Sequence, residues 1–217
     1  MRVLELFCGT KSFSKRIEPY ADEIVTLDFE ADFEPTICCD ILKWDYTTFP
    51  QGYFDFIWAS PNCKQWSVCN TIPPSERTLE IENSRLVVLK TLEIICYFNP
   101  CYYVIENPQT GYLKNMPMMK DIPYVDLDYC KYGYSYRKRT RFWTNIEWTP
   151  KPFCSKDGGY CIPRQKMIEE RGKNLHPYGF GRPTQWYKDM DIVKVACYKQ
   201  RISIPPKVID DLLSCIL

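Results

Sequence analysis

The sequence predicts an α/β fold: a mostly parallel sheet with helices on both faces and a small irregular insertion. Three observations lead there. Apolar runs of strand length at residues 3–7, 24–28, 54–58 and 102–106 alternate with helical patterns at 12–20 and 83–98, as in chains built from strand-helix-strand units. Each run stops at polar or turn-forming residues: Cys8-Gly9-Thr10, Asp28, Ser60-Pro61-Asn62-Cys63 and Glu106-Asn107-Pro108. The 217 residues, 45% apolar and 25% charged, suffice for one globular core and give no sign of disorder or of a fibrous repeat.

In an open α/β sheet, ligands bind beyond the carboxyl ends of the strands, so the four stops should converge on one cleft. Leu6-Phe7-Cys8-Gly9 ends the first run in a tight turn where backbone can approach a bound cofactor, although any strand-to-helix connection can carry such a turn. Asp28 closes the second run about twenty residues on, where an acid accepts hydrogen bonds from a ribose diol; a helix cap or a solvated turn is the alternative. After the third run, Ser60-Pro61-Asn62-Cys63-Lys64-Gln65-Trp66-Ser67 sets a thiol on a loop at the cleft rim. Such a thiol is nucleophilic if a nearby positive charge or helix N–H groups lower its pKa, and inert if buried. Glu106 closes the fourth run, placed as a general acid or as a structural hydrogen-bonding group.

The formal charge is +1, so any affinity for nucleic acid must come from local clusters. The densest is Arg137-Lys138-Arg139-Thr140-Arg141. On a strand its three arginines would share one face, suited to phosphate or base contacts or simply forming an exposed basic edge. Residues 1–150 read as the core unit and 151–191, rich in Gly, Pro, Lys and Arg, as an irregular insertion. Residues 192–217 return to the core through a helix that starts at Pro205-Pro206 and carries Val208, Ile209, Leu212, Leu213 and Ile216 at helical spacing. Neither a secretory leader nor an apolar run of about 18 residues is expected, which points to an intracellular, reducing compartment with no membrane partner. The twelve cysteines then read as thiols rather than disulfides, with Cys96 and Cys197 as small hydrophobes in apolar runs. Cys154, Cys161 and the single histidine, His176, with Cys130 as a guessed fourth member, are candidate zinc ligands. Their irregular spacing favours three isolated residues and no metal.

Taken in order, Leu6-Phe7-Cys8-Gly9, Asp28-Phe29, Cys39-Asp40-Ile41, Ser60-Pro61-Asn62-Cys63 with Ser67, Glu106-Asn107-Pro108 and the run from Arg137 to Arg141 resemble the ordered motifs of the C5-cytosine methyltransferases, over roughly residues 1–146 and, weakly, the last twenty. The resemblance implies a Rossmann-like, S-adenosylmethionine-dependent methyltransferase fold. It implies that Cys63 is the nucleophile and Glu106 the acid, with Arg139 orienting a flipped cytosine and Arg141 the site around it. For the cofactor it implies that Phe7 and Gly9 line the site, Asp28 holds the ribose, Phe29 stacks on adenine and Asp40 meets the adenine amino group, with Ile41, Ser60 and Pro61 beside them. Ser67, Arg137, Arg164 and Lys166 become nucleic-acid contacts. DNA is the implied substrate, with RNA or a catalytically inactive DNA-binding relative as alternatives. An amino-methyltransferase is disfavoured, since Asn62-Cys63 stands where its aromatic would. Four departures from the family pattern are Lys11 for a second glycine, Asn62 for proline, Pro108 for valine and Arg137 for glutamine. The short recognition portion resembles that of solitary enzymes from phages and large DNA viruses.

Overall fold

The computed structural model describes residues 1–67, 73–174, 176, 178–179, 194–195 and 202–217. Its centre is a seven-stranded sheet made of β1 (Arg2–Leu6), β2 (Glu23–Asp28), β3 (Ile37–Cys38), β4 (Phe56–Ala59), β5 (Tyr102–Pro108), β6 (Tyr124–Asp128) and β7 (Arg139–Thr144). The spatial order is β3-β2-β1-β4-β5-β7-β6; every pairing from β3 to β5 is parallel, and β7 runs antiparallel to both its neighbours. Strand order therefore reverses between β1 and β4, which makes the crevice above their carboxyl ends the topological switch point.

The central strands read as largely apolar runs because both faces are covered, with Glu5 of β1 and Thr26 of β2 as buried polar exceptions. Val3, Phe56, Trp58, Val104 and Phe142 point into one core, while Leu4, Leu6, Ile57, Ala59, Ile105 and Trp143 point into the other, the period-2 alternation of extended backbone. The first core is closed by Ile17 of α1 (Ser14–Ile17) and by Val208, Ile209, Leu212 and Leu213 of a C-terminal helix (Pro206–Leu213), which is α4 once α3 (Ile162–Arg171) is counted. The second is closed by Val88, Ile94 and Phe98 of α2 (Thr78–Phe98). Truncating a fully buried ring such as Phe56 to alanine would cost about 3–5 kcal/mol.

Several expectations are corrected. The helix expected at 83–98 begins earlier, at Thr78, and the one at 12–20 has only one α turn before a 3-10 turn at Glu18–Tyr20, because Pro19 cannot continue the backbone ladder. β3 and β6 were not anticipated. The insertion is not wholly irregular: α3 starts at Ile162-Pro163 and stops at Gly172, whose φ of 62° suits glycine. Cys96 is exposed, not a core hydrophobe, since it lies on the solvent side of α2; Cys197 falls outside the described residues. Short strands β8 (Tyr178–Gly179) and β9 (Lys194–Val195) pair in parallel beyond α3. Among the described residues no helix is long and apolar enough to cross a membrane.

Candidate active site

Parallel pairing places the carboxyl ends of β2, β1, β4 and β5, where the four stops lie, along one edge of the sheet. The turn after β1 is held in left-handed backbone, with φ of 58° at Phe7, 45° at Gly9 and 54° at Lys11. A side chain at Gly9 would meet nothing nearer than the Phe7 carbonyl at 4.0 Å, so conformation and not crowding favours glycine there. Lys11, at the family's second glycine position, keeps a glycine-like conformation that costs a non-glycine residue about 1–2 kcal/mol. Its ammonium offsets part of that by donating to the Glu34 carbonyl at 2.6 Å.

Two buried carboxylates frame the turn. Asp28 accepts from the Gly9 amide at 2.9 Å and from the Glu30 amide at 3.0 Å, which fixes both its oxygens at the end of β2. Glu5, within β1, accepts from the amides of Phe13 (3.4 Å) and Ser14 (3.0 Å) and from the Ser14 hydroxyl, and so anchors the start of α1. Burial pushes the Glu5 carboxyl up from 4.5 to about 7, against the opposing pull of these donors. Burial also pushes the Cys8 thiol up to about 12, with Glu5 and Asp28 adding to it, so Cys8 is unsuited to act as a nucleophile.

The loop after β4 is tied down bond by bond. The Ser60 amide donates to Leu6 O at 3.2 Å, and the Ser60 hydroxyl accepts from the Trp58 indole at 3.0 Å. The Pro61 carbonyl accepts from the amide of Asn107, a fully buried side chain on β5, at 2.8 Å. The Asn62 side-chain oxygen accepts from the Lys64 amide at 2.8 Å and closes a local turn. Farther along, Trp66 O accepts from Tyr112 N at 2.8 Å, and Arg77 donates to Gln65 O at 2.6 Å. Gly111 fits closely beneath it, since a Cβ there would lie 3.1 Å from both the Pro108 and Trp66 carbonyls. Cys63 is thus a half-buried thiol on a braced loop, and Ser67 is half-buried at the end of it.

Glu106, 7% exposed, accepts from the Tyr129 hydroxyl at 3.1 Å and from the Lys138 ammonium at 3.2 Å, both on Oε1. Lys138 is equally buried, an ion pair closed off from bulk water. On the neighbouring strands, Arg139 and Asp128 face each other in register, as do Arg141 and Asp126. Each pair is a two-pronged fork, at 3.0 and 3.0 Å for the first and 2.7 and 2.8 Å for the second. The arginine planes also lie over rings, Arg139 above Phe153 at 3.9 Å and Arg141 above Tyr124 at 3.4 Å. Burial acts to raise the Asp128 carboxyl, but the Arg139 fork, the Cys154 amide and Arg137 hold it below its ordinary value.

These pairings correct the expected basic strip. Arg137 precedes β7 and so is not a strand residue, although its guanidinium lies 3.5 Å from the same Asp128 oxygen that Arg139 binds. Four cations meet three carboxylates, so the run carries little net charge and its arginines are positioned by protein acids. In the insertion, Lys166 is exposed, whereas Arg164 donates to Asn174 and lies over Tyr160. At the other end of the cleft Phe29 is 62% exposed beside Asp28. Asp40 is exposed and accepts from the Leu42 amide, while the Ile41 side chain is buried in the second core, leaving only backbone to face a ligand. Cys154, Cys161 and His176 are not isolated, contrary to the favoured expectation, but gather with Cys130. Sequence reasoning did not find the aspartates of β6 or the pairing of Lys138 with Glu106; the alternation in Tyr124-Val125-Asp126-Leu127-Asp128 opposite Arg-x-Arg is the signal that could find the forks.

No protein-family model matches the chain. A protein of Frog virus 3 (isolate Goorha) named "Probable DNA (cytosine-5)-methyltransferase" is 32% identical over 230 residues, covering 98% of this chain and 99% of that protein. Among solved structures, a "putative DNA modification methyltransferase" encoded within a prophage of E. coli superposes with a TM-score of 0.50 at 14% identity. That match covers 66% of this chain and 46% of the other, a likeness of fold.

Proposed function

The chain belongs to the DNA (cytosine-5)-methyltransferase family, and from that premise we propose that Cys63 and Glu106 carry out methyl transfer, with S-adenosylmethionine held at the ends of β1, β2 and β4. The observation that carries this reading is the bond from Asn107 to Pro61 O, which fastens the thiol loop to the strand that presents Glu106. The cofactor fits the residues present. The exposed Phe29 ring offers a stacking face, the locked Asp28 carboxylate offers acceptors for a diol, and the turn at Gly9 leaves open backbone beside it. When bound, S-adenosylmethionine supplies an electrophilic methyl group.

The chain's own residues do the rest. Carbon 6 of a stacked, paired cytosine is out of reach of a side chain, so the base must flip out of the duplex. The Cys63 thiolate then forms a bond to carbon 6, and the ring electrons displaced by that attack are drawn toward N3. Glu106 holds the proton at N3; because Lys138 and Tyr129 both bind Oε1, we assign Oε2 to the base. Carbon 5 takes the methyl group, its proton then passes to solvent water, the electrons return to restore the carbon 5–carbon 6 double bond and expel Cys63 as a thiolate, and the N3 proton returns to Glu106. Arg139 and Arg141, fixed by their aspartate forks, present cationic edges to the flipped nucleotide, while Ser67, Arg137, Arg164 and Lys166 face the strand. The viral relative supports placing this activity in a virus-encoded enzyme.

Duplex DNA carrying 5-fluorocytosine tests the assignment, because fluorine cannot leave as the proton does. A covalent protein–DNA complex that needs S-adenosylmethionine is expected, with the modified peptide containing Cys63. Cys63→Ser should abolish trapping and turnover, since an alcohol is barely ionised at neutral pH. Full turnover in Cys63→Ser, or preferential labelling of transfer RNA over duplex DNA, would overturn the reading.

A further inference from the structure

The sheet edge away from the cofactor turn carries a cluster the methyl-transfer chemistry does not use. Cys130 lies in the 3-10 turn after β6, Cys154 in the segment that follows β7, Cys161 at the N-terminal boundary of α3 and His176 just beyond α3. The three sulfurs and one imidazole nitrogen all lie within 4.8 Å of one another. The His176 Nε2 is 3.7 Å from the Cys154 sulfur and 3.3 Å from the Cys161 sulfur. For tetrahedral zinc, with bonds of about 2.3 Å to sulfur and about 2.0–2.1 Å to nitrogen, the sulfur-to-nitrogen edges would be about 3.6 Å. The cluster therefore already has the dimensions of a coordination shell. We infer that Cys130, Cys154, Cys161 and His176 form a structural zinc site that staples the insertion to the β6 edge of the catalytic sheet.

The surroundings suit a thiolate shell. All three cysteines are buried, at 1–3% exposure, in a small cluster of their own with Tyr160 packed on it. The Cys161 amide donates to the Cys154 sulfur at 3.3 Å, and the Arg164 guanidinium approaches the same sulfur at 3.9 Å. Both would spread the negative charge that three thiolates leave over on a divalent ion. The chain between Cys154 and Cys161 makes a tight loop that requires glycine. A Cβ on Gly158 would lie 2.2 Å from the Phe153 carbonyl, and Gly159 has a φ of 71°. Lys131, next to Cys130, donates to both glycine carbonyls at 2.9 Å, fastening the loop to the sheet edge. Three soft sulfurs and one imidazole in a closed shell match structural zinc better than magnesium or calcium, which prefer oxygen. Among the described residues of the insertion the buried apolar side chains are only Cys154, Cys161 and Met167, the circumstance in which a metal supplies folding energy.

The site also reaches the active site. The Cys154 amide donates to Asp128 Oδ2 at 3.0 Å, the same oxygen that receives Arg139 Nη2. Zinc at this position would fix the Cys154 backbone and, through Asp128, the direction of the Arg139 guanidinium.

The test is elemental analysis of untagged protein expressed with zinc supplementation. The expected result is one zinc per chain, released stoichiometrically by a thiol-specific mercurial. Cys161→Ser and His176→Ala should lose most of the metal, whereas Cys215→Ser, at an exposed cysteine remote in sequence, should keep it. If the ligand variants fail to fold, cobalt exchange into the native protein gives the same answer, as intense thiolate-to-cobalt bands and a tetrahedral visible spectrum are expected. Substoichiometric zinc, full zinc retention in Cys161→Ser, a cobalt spectrum without thiolate bands, or a disulfide between any two of the three cysteines would each overturn the inference.

Discussion

Glu5 lies within the central strand, 2% exposed, and its carboxyl is raised by burial from 4.5 to about 7. A carboxyl that holds its proton more tightly when folded makes folding most favourable where it is protonated in both states. Its contribution is therefore fully present below pH 4.5 and is lost as pH rises through about 7. With 1.36 kcal/mol for each pH unit between the two values, the loss amounts to about 3 kcal/mol. Glu5→Gln keeps the shape and an acceptor for the Ser14 amide but cannot ionise. Urea unfolding of both proteins from about pH 4 to about pH 8 isolates the effect, because all other titrating groups are common to the two. The stability of the native protein relative to Glu5→Gln should fall by about 3 kcal/mol across that window, most steeply between pH 5 and 7. A difference constant to within about 0.5 kcal/mol would refute the reasoning and mean that the Phe13 and Ser14 donors stabilise the ionised carboxylate as well as water does.

Phe29→Ala should leave unfolding free energy within about 0.5 kcal/mol, because the ring is mostly exposed, yet weaken S-adenosylmethionine binding by about 1–2 kcal/mol in calorimetric titration if it stacks on the adenine. Asp28→Ala should weaken binding and also lower stability by about 2–4 kcal/mol, since the Gly9 and Glu30 amides lose their charged acceptor. Lys138→Met should destabilise by about 3–5 kcal/mol in denaturant titration by leaving the buried Glu106 carboxylate without its countercharge, whereas Lys138→Arg should recover much of that loss.

Local patterning was enough to place most of the sheet and the cleft. Strand-length apolar runs with polar stops announce strands buried on both faces, and the parallel geometry they require brings the ends Gly9, Asp28, Cys63 and Glu106 to one edge. What the pattern could not place was short or mixed in character. β3 has only two residues, and β6 alternates acid and apolar positions in a way that also suits an exposed loop until β7 is set beside it.

The sequence by itself determined the order of chemical groups along the cleft and the family to which they belong, because those depend on neighbours within a strand and its following turn. Only the tertiary structure decided the state of those groups. The Arg137–Arg141 run looked like a free basic surface, yet antiparallel register sets Asp128 and Asp126 opposite Arg139 and Arg141, and packing sets Lys138 against Glu106. Likewise Cys130, Cys154, Cys161 and His176 have no legible spacing, because the loop and helix between them carry them to one point by folding back on the sheet edge. Residue spacing encodes local periodicity, whereas partner choice among distant charges and thiols follows from register and from the cost of burying them alone.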